Sequence, residues 1–418
     1  MDTLSNIRNS HILKSFLSFF WLLPFLYMFL DIYFDLDYKI SPEVFKGLIF
    51  FSFFCALVLV AIWFKEFRDI RYSRLLFKYI LEENIAKLAS LLSYTGHSNY
   101  LHNESTLLKY AIDEQASAQL VSLLLTRNCK VVYTENQIHN NSFTLFYLCS
   151  YYNYINASMI NYLLEQGADI NFVDNTAGFD GLSVFNTLIL RNDKSLISLA
   201  LEAGADAEYV IKELSMNSLM LAAKYVNDPV IIKLLIEIGC NIHQVNKDGY
   251  NAILFAAHYN PYPAVVATLV NAGASLKPYN IKSDILQHNT VTPLMLAASF
   301  NNATVVQKLI ELGDDISFKD TFGISVLFSA SANNTDIDVI KTLISAGASL
   351  EQARDNEGNT PLMAAAYLNQ SPSLIKYLID KTHNLKTTNR DGFDFIDYLR
   401  QNQHLTEEEK KIIINRWI

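Results

Sequence analysis

Apolar positions follow two different patterns along the chain. Before residue 65 they form unbroken runs, and beyond residue 80 they recur in short stretches spaced as helix faces and punctuated by Gly, Asn and Pro. Ser15 to Leu30 reads SFLSFFWLLPFLYMFL and Gly47 to Phe64 reads GLIFFSFFCALVLVAIWF, both without a charge. Neither run has a polar face, as a core helix against solvent would need. A spanning helix takes about 20 mainly apolar residues. The expectation is two membrane helices, at about 15–34 and 44–64. Lys14 can snorkel, Asp31 can sit at the interface, and Pro24 would kink the first helix without breaking it. No small-residue cleavage site follows the first run, so an uncleaved anchor is expected. Lys65, Arg68, Arg71, Arg74 and Lys78 follow the second run. The loop before it holds only Lys39 and Lys46 against Asp35, Asp37 and Glu43. The basic side stays cytoplasmic, which places both termini inside.

Beyond Ile80 a motif repeats, clearest as Thr292-Pro293-Leu294-Met295-Leu296-Ala297-Ala298 and Thr360-Pro361-Leu362-Met363-Ala364-Ala365-Ala366. Copies start at 105, 143, 182, 217, 251, 292, 325, 360 and 394, those at 143 and 182 being weak. A second marker stays in phase with it, as in Gly167-Ala168-Asp169-Ile170-Asn171 and Gly347-Ala348-Ser349-Leu350. An apolar helical run precedes each marker, and a turn such as Lys247-Asp248-Gly249 or Asp391-Gly392 leads into the next motif. A Thr hydroxyl can cap a helix whose first residue is Pro, paired Ala lets helices approach, and Gly can end the second helix in the left-handed region.

These residues resemble the ankyrin repeat in order and period. The resemblance covers roughly 74–418 and implies an all-α ankyrin-repeat solenoid, helix pairs with short β-hairpin tips, preceded by the two transmembrane helices. One departure is Asn at the end of the first helix, as at Asn260, Asn301 and Asn334, where the family commonly has Gly; Asn tolerates the left-handed conformation next best. The Asn- and Pro-rich loops look like bacterial arrays. The organisation expected is a cytosolic tail over 1–14, a membrane hairpin over 15–64, a basic linker over 65–73 and the array with terminal caps over 74–418.

Composition narrows the function. Apolar residues make up 51% and charged residues 18%, which leaves no room for extended disorder. The net charge of −9 comes with no basic stripe beyond residue 80, which argues against nucleic acid. Cys55, Cys129, Cys149 and Cys240 are far apart and form no metal-ligand or disulfide pattern. Phosphate-loop, metalloprotease, nucleophile-elbow and kinase signatures are absent. No enzyme, cofactor or metal is expected. Asp169, Asp174, Asp206 and Asp315 read as turn residues, not as a carboxylate pair.

The resemblance implies a protein partner, held by hairpin tips and the exposed side of the first helices. The positions that follow each Ala-Ala pair are Lys224 and Tyr225, His258 and Tyr259, Ser299 and Phe300, Ala332 and Asn333, Tyr367 and Leu368. The tip positions are Lys247, Tyr250, Thr321, Phe322, Ile324, Asn356, Arg390 and Phe393. Tyr225, Tyr259 and Phe300 share one register, and such rings are enriched at interface hot spots. His258 has no partner acid or nucleophile in sequence and reads as a surface contact. The expected function is a membrane-tethered scaffold that recruits or sequesters an unidentified protein and meets the bilayer through 15–64, with its array in the bacterial cytosol at the inner membrane. The alternatives are an effector inserted in a host membrane and an accessory subunit of a channel or transporter.

Overall fold

The computed structural model describes residues 42–95, 101–102, 105–132, 136–175, 181–212, 214–282 and 290–417, with some side chains of the first helix left out. The chain divides into two compact units, Met1–Tyr133 and Thr134–Ile418. The tail over 1–14 and the expected membrane helix at 15–34 lie outside the described residues.

In the first unit α1 runs unbroken from Pro42 to Leu81. It therefore takes in both the apolar run and residues 65–73, expected as a linker. That segment holds neither Pro nor Gly, so nothing in it stops a helix. Phe50, Phe51, Phe53, Phe54, Leu57 and Phe64 are exposed, whereas Leu76, Phe77 and Ile80 near the other end are buried. That end packs on α2 (Ile85–Thr95) and α3 (Leu107–Asp113), and the Phe77 ring meets the edge of Tyr110 at 5.0 Å. A short ladder, β1 (Leu101–His102) with β2 (Ser105–Thr106), precedes α3, and α4 (Ala118–Thr126) follows it. Among the described residues no helix is long and apolar enough to cross a membrane, so the expected hairpin has no support from them.

The second unit is a stack of helix pairs. They are α5 (Gln137–Tyr151) with α6 (Ala157–Glu165), α7 (Val184–Leu190) with α8 (Lys194–Glu202), and α9 (Ser218–Tyr225) with α10 (Pro229–Glu237). Next come α11 (Ala252–Tyr259) with α12 (Pro263–Asn271), α13 (Pro293–Phe300) with α14 (Ala303–Glu311), and α15 (Val326–Asn333) with α16 (Ile337–Ser345). The last are α17 (Pro361–Leu368) with α18 (Pro372–Lys381) and α19 (Phe395–Gln401) with α20 (Glu407–Trp417). First helices stack on first helices and second on second. The burial explains the two sequence patterns. In α13 every residue from Pro293 to Ser299 is buried, which is why the motif is apolar throughout and uses Ala where neighbours come close. In α14 only Val305, Val306 and Leu309 are buried, the stripe of an amphipathic helix.

The caps follow the motif. Thr292 Oγ1 accepts from Met295 N at 3.1 Å and Thr360 Oγ1 from Met363 N at 3.3 Å, each ahead of a Pro that opens its helix. Asn217 and Asn251 cap α9 and α11 in the same way. At the far end Thr406 and Glu409 close the expected capping box of α20. Gly167, Gly204, Gly239, Gly273, Gly313 and Gly347 all have positive φ where the second helices end. At the tips, Gly249 is needed for a second reason: a Cβ there would lie 2.2 Å from Asn280 O of the next tip.

Two expectations are corrected. The helix expected to start at 143 begins at Gln137, so α5 has 15 residues against 7 or 8 in the other first helices of this unit. The Asn residues ending the first helices are extended, not left-handed: Asn260, Asn301 and Asn334 have φ of −93°, −119° and −90°. Their side chains take over the work. Asn334 Nδ2 donates to Ala298 O at 2.9 Å and Asn301 O at 2.8 Å, while its Oδ1 accepts from Asp336 N at 2.9 Å. Asn260, Asn301, Asn369 and Asn402 each bond two carbonyls of the preceding repeat in the same way. The result is a ladder of buried amides that satisfies the C-terminal carbonyls of one first helix from the next. In the weak unit at 182 Arg191 does this instead, donating to Cys149 O at 2.9 Å and to Tyr152 O.

Asp314 is a local exception. It is buried where matched markers carry Ala168, Ala205, Ala274 and Ala348, and its Oδ2 accepts from Leu294 N at 2.8 Å. Burial pushes its carboxyl up to about 7. The folded state thus keeps a proton that the unfolded chain releases above about 4, so stability is lost as pH rises from there through about 7. Asp314→Asn keeps an acceptor and removes the charge. It is expected to melt higher than the native protein at pH 8, by on the order of 2–4 kcal/mol in stability, and no higher at pH 4. Thermal unfolding at both values checks this.

Candidate functional site

The first helices of three successive repeats bring the expected contact residues into one column. Tyr225 on α9, Tyr259 on α11 and Phe300 on α13 sit at the same register, the first two 58% and 47% exposed and Phe300 half-buried. Two further side chains fill the gaps between them. Lys224 Nζ lies 4.9 Å from the Tyr225 ring centre and 4.5 Å from that of Tyr259. The His258 ring stacks on Tyr259 at 3.8 Å and 11°, and on Phe300 at 4.5 Å and 23°. Each offset ring pair contributes roughly 0.5–1.5 kcal/mol beyond its burial, and each cation over a ring about 0.5–2 kcal/mol. The column is therefore formed before any partner arrives.

His258 is the wedge of this stack. Its Nδ1 lies 3.2 Å from the Tyr250 hydroxyl. Burial first, and the Lys224 charge second, push the imidazole down to about 4. Burial also holds the Tyr250 phenol above its ordinary range. At neutral pH both groups are uncharged, and one of them donates to the other. Tyr250, expected as a tip contact, is itself buried and supports the wedge from below. Phe255 belongs here as well, with its ring 5.2 Å from Tyr250 and 6.2 Å from Tyr259.

The other expected residues divide into two groups. Lys247, Thr321, Phe322, Asn356, Arg390 and Phe393 are exposed at the tips, Phe322 by 54% and Phe393 by 45%. Tip backbones are tied in series: Asn356 N donates to Phe322 O at 2.8 Å and Arg390 N to Glu357 O at 2.9 Å. Tyr367 and Phe393 gather around Tyr398, with ring centres 5.6 Å and 6.1 Å from it. Between the two aromatic groups the surface is small and tightly packed. Ser299 is buried with its hydroxyl 2.8 Å from that of Ser329, and Ile324 packs on Phe328, Ala332 and Ala364. Ser299 and Ala332 are thus buried positions and not contact sites. Tyr398 and Phe255 were missed from sequence. Both occupy the motif column that elsewhere holds Leu221, Leu296, Ser329 and Ala364, and variability at that column is the signal that marks them.

Among the described residues no His, Cys, Asp and Glu are grouped to hold a metal ion. Cys129, Cys149 and Cys240 are buried free thiols, each pushed up to about 12 by burial, and so unreactive at neutral pH. Asp169, Asp206 and Asp315 accept from the backbone two residues on, at 2.8, 2.9 and 2.9 Å, as turn residues do.

The family model of ankyrin repeats matches residues 219–320 and 294–391. Residues 219–391 are ankyrin repeats, and the stacked helix pairs with their hairpin tips fit an ankyrin solenoid. Repeats of this kind serve protein interaction and are not typically enzymes, and a protein partner is what they imply here. No curated protein sequence matches the chain.

Proposed function

We propose that this chain is a membrane-tethered scaffold that recruits or sequesters a protein partner through the inner groove of its ankyrin array. The observation that carries the reading is the column of Tyr225, Lys224, Tyr259, His258 and Phe300, assembled from three repeats and presented to solvent at its rings. Exposed aromatic groups of this size on a preformed support are what interface hot spots are built from. Lys247, Phe322, Arg390, Tyr367 and Phe393 would extend the contact along the tips.

The tether rests on the uncharged run Gly47–Phe64 and on its described phenylalanines, which are exposed in water and call for an apolar environment. Lys65, Arg68, Arg71, Arg74 and Lys78 then mark the cytoplasmic side. Two measurements on the full chain, expressed in a bacterial host, test the reading. Alkaline carbonate washing is expected to leave the chain in the membrane pellet; release into the supernatant would end the tether. Crosslinking from a photoreactive residue placed at Tyr225 is expected to capture a protein. Crosslinks to lipid alone would end the scaffold.

A further inference from the structure

Lys224 is the one feature of the column that stacking does not explain. Its ammonium lies 4.5, 4.9 and 5.9 Å from the ring centres of Tyr259, Tyr225 and Phe255. Among the described residues no carboxylate pairs with it. Three lysines on the second helices behave differently: Lys233, Lys308 and Lys341 each reach a carboxylate on their own helix, at 3.6, 2.5 and 2.7 Å. The charge of Lys224 is instead felt by His258, which stays neutral beside it at neutral pH. Ring faces attract a cation but cannot neutralise it. The groove therefore holds a fixed positive charge at the centre of an apolar patch, in a chain whose net charge is −9.

We propose that the groove across α9 and α11 takes a protein segment that presents a carboxylate beside an aromatic or aliphatic side chain, the carboxylate meeting Lys224 and its neighbour lying on Tyr225 and Tyr259. The inference rests on the scaffold reading and specifies its partner. A carboxylate reaching Lys224 forms a charge-assisted hydrogen bond in a site where water is partly excluded by rings. A basic segment is repelled by the same ammonium, although the rings alone would welcome it. Specificity thus comes from the charge and affinity from the rings.

The test uses the full chain, purified in detergent and immobilised, with a random-peptide library displayed on phage as the probe. Selection is expected to enrich peptides with Asp or Glu next to an aromatic or aliphatic residue. Lys224→Met keeps the aliphatic stem and should weaken those peptides roughly ten- to hundredfold. Lys224→Glu should turn the selection towards Lys and Arg. Because Lys224 is half-exposed and at the end of its helix, both variants should fold and lose no more stability than the cation–ring contacts supply, which melting followed in parallel checks. Peptides that need Tyr225 and Tyr259 but carry no acid, or that ignore Lys224→Met, would overturn the carboxylate proposal and leave the groove standing. Peptides insensitive to the rings as well, or no enrichment at all, would overturn both.

Discussion

Replacing Asn334 by Ala is expected to destabilise the array by about 3–5 kcal/mol, more than any surface change in the same repeat. The amide Nδ2 serves two carbonyls of the preceding repeat, those of Ala298 and Asn301, and Oδ1 serves Asp336 N. Asn334 is buried, so truncation strands those carbonyls away from water, each at a cost of about 1–3 kcal/mol. Asn334→Asp should be nearly as harmful, since it replaces the donor by a buried charge facing two carbonyls. Asn334→Gly, the residue common in the family at this position, loses the same bonds and should not rescue. Neighbouring repeats depend on each other, so the loss should be felt beyond α15. Urea unfolding, with the slope checked for a change in cooperativity, is the measurement; a midpoint within error of the native protein would show that the ladder contributes little.

Replacing Tyr225, Tyr259 and Phe300 together by Ala is expected to weaken partner binding by roughly a thousandfold or more, allowing for non-additivity. The same change should cost much less in stability than three buried rings would. A buried ring truncated to Ala costs about 3–5 kcal/mol, whereas these rings keep much of their surface in water and give up mainly the stack around His258, about 1 kcal/mol per pair. Titration of the triple variant with an acidic peptide selected on the native chain separates the outcomes when melting is followed in parallel. A variant that melts near the native value and fails to bind places the site at these rings. One that unfolds makes them structural, and one that binds normally moves the site, with the aromatic group around Tyr398 as the next candidate.

The repeat was legible because each of its parts is a local device. Thr292 and Thr360 cap helices that Pro opens, and Gly239 or Gly347 turns the chain where a helix ends, so motif and period carried the architecture. The irregular unit near 143 was hidden by the same logic: α5 starts six residues early because its first turn is helical where other repeats make a tip. Asn334 could be placed at the end of its helix but not assigned its role. Left-handed tolerance is a property of the residue alone, whereas the extended backbone observed is set by two carbonyls 33 and 36 residues away in sequence. The register of Tyr225, Tyr259 and Phe300 could be counted. That Lys224 and His258 interleave between them depends on which rotamers the stacked helices leave open. The apolar run before residue 65 shows the reverse case. Its composition invites a membrane, and its helix was expected to end near Phe64, yet α1 continues to Leu81 because the next stretch has every reason to stay helical.

Hydrogen exchange on the full chain, with and without a bound acidic peptide, tests the central claim most directly, because it reports where the array is covered without altering it. The account predicts slowed exchange in Ser218–Tyr225, Ala252–Tyr259 and Pro293–Phe300 and at the tip around Lys247. Protection confined to the outer helices Pro229–Glu237, Pro263–Asn271 and Ala303–Glu311 would contradict it.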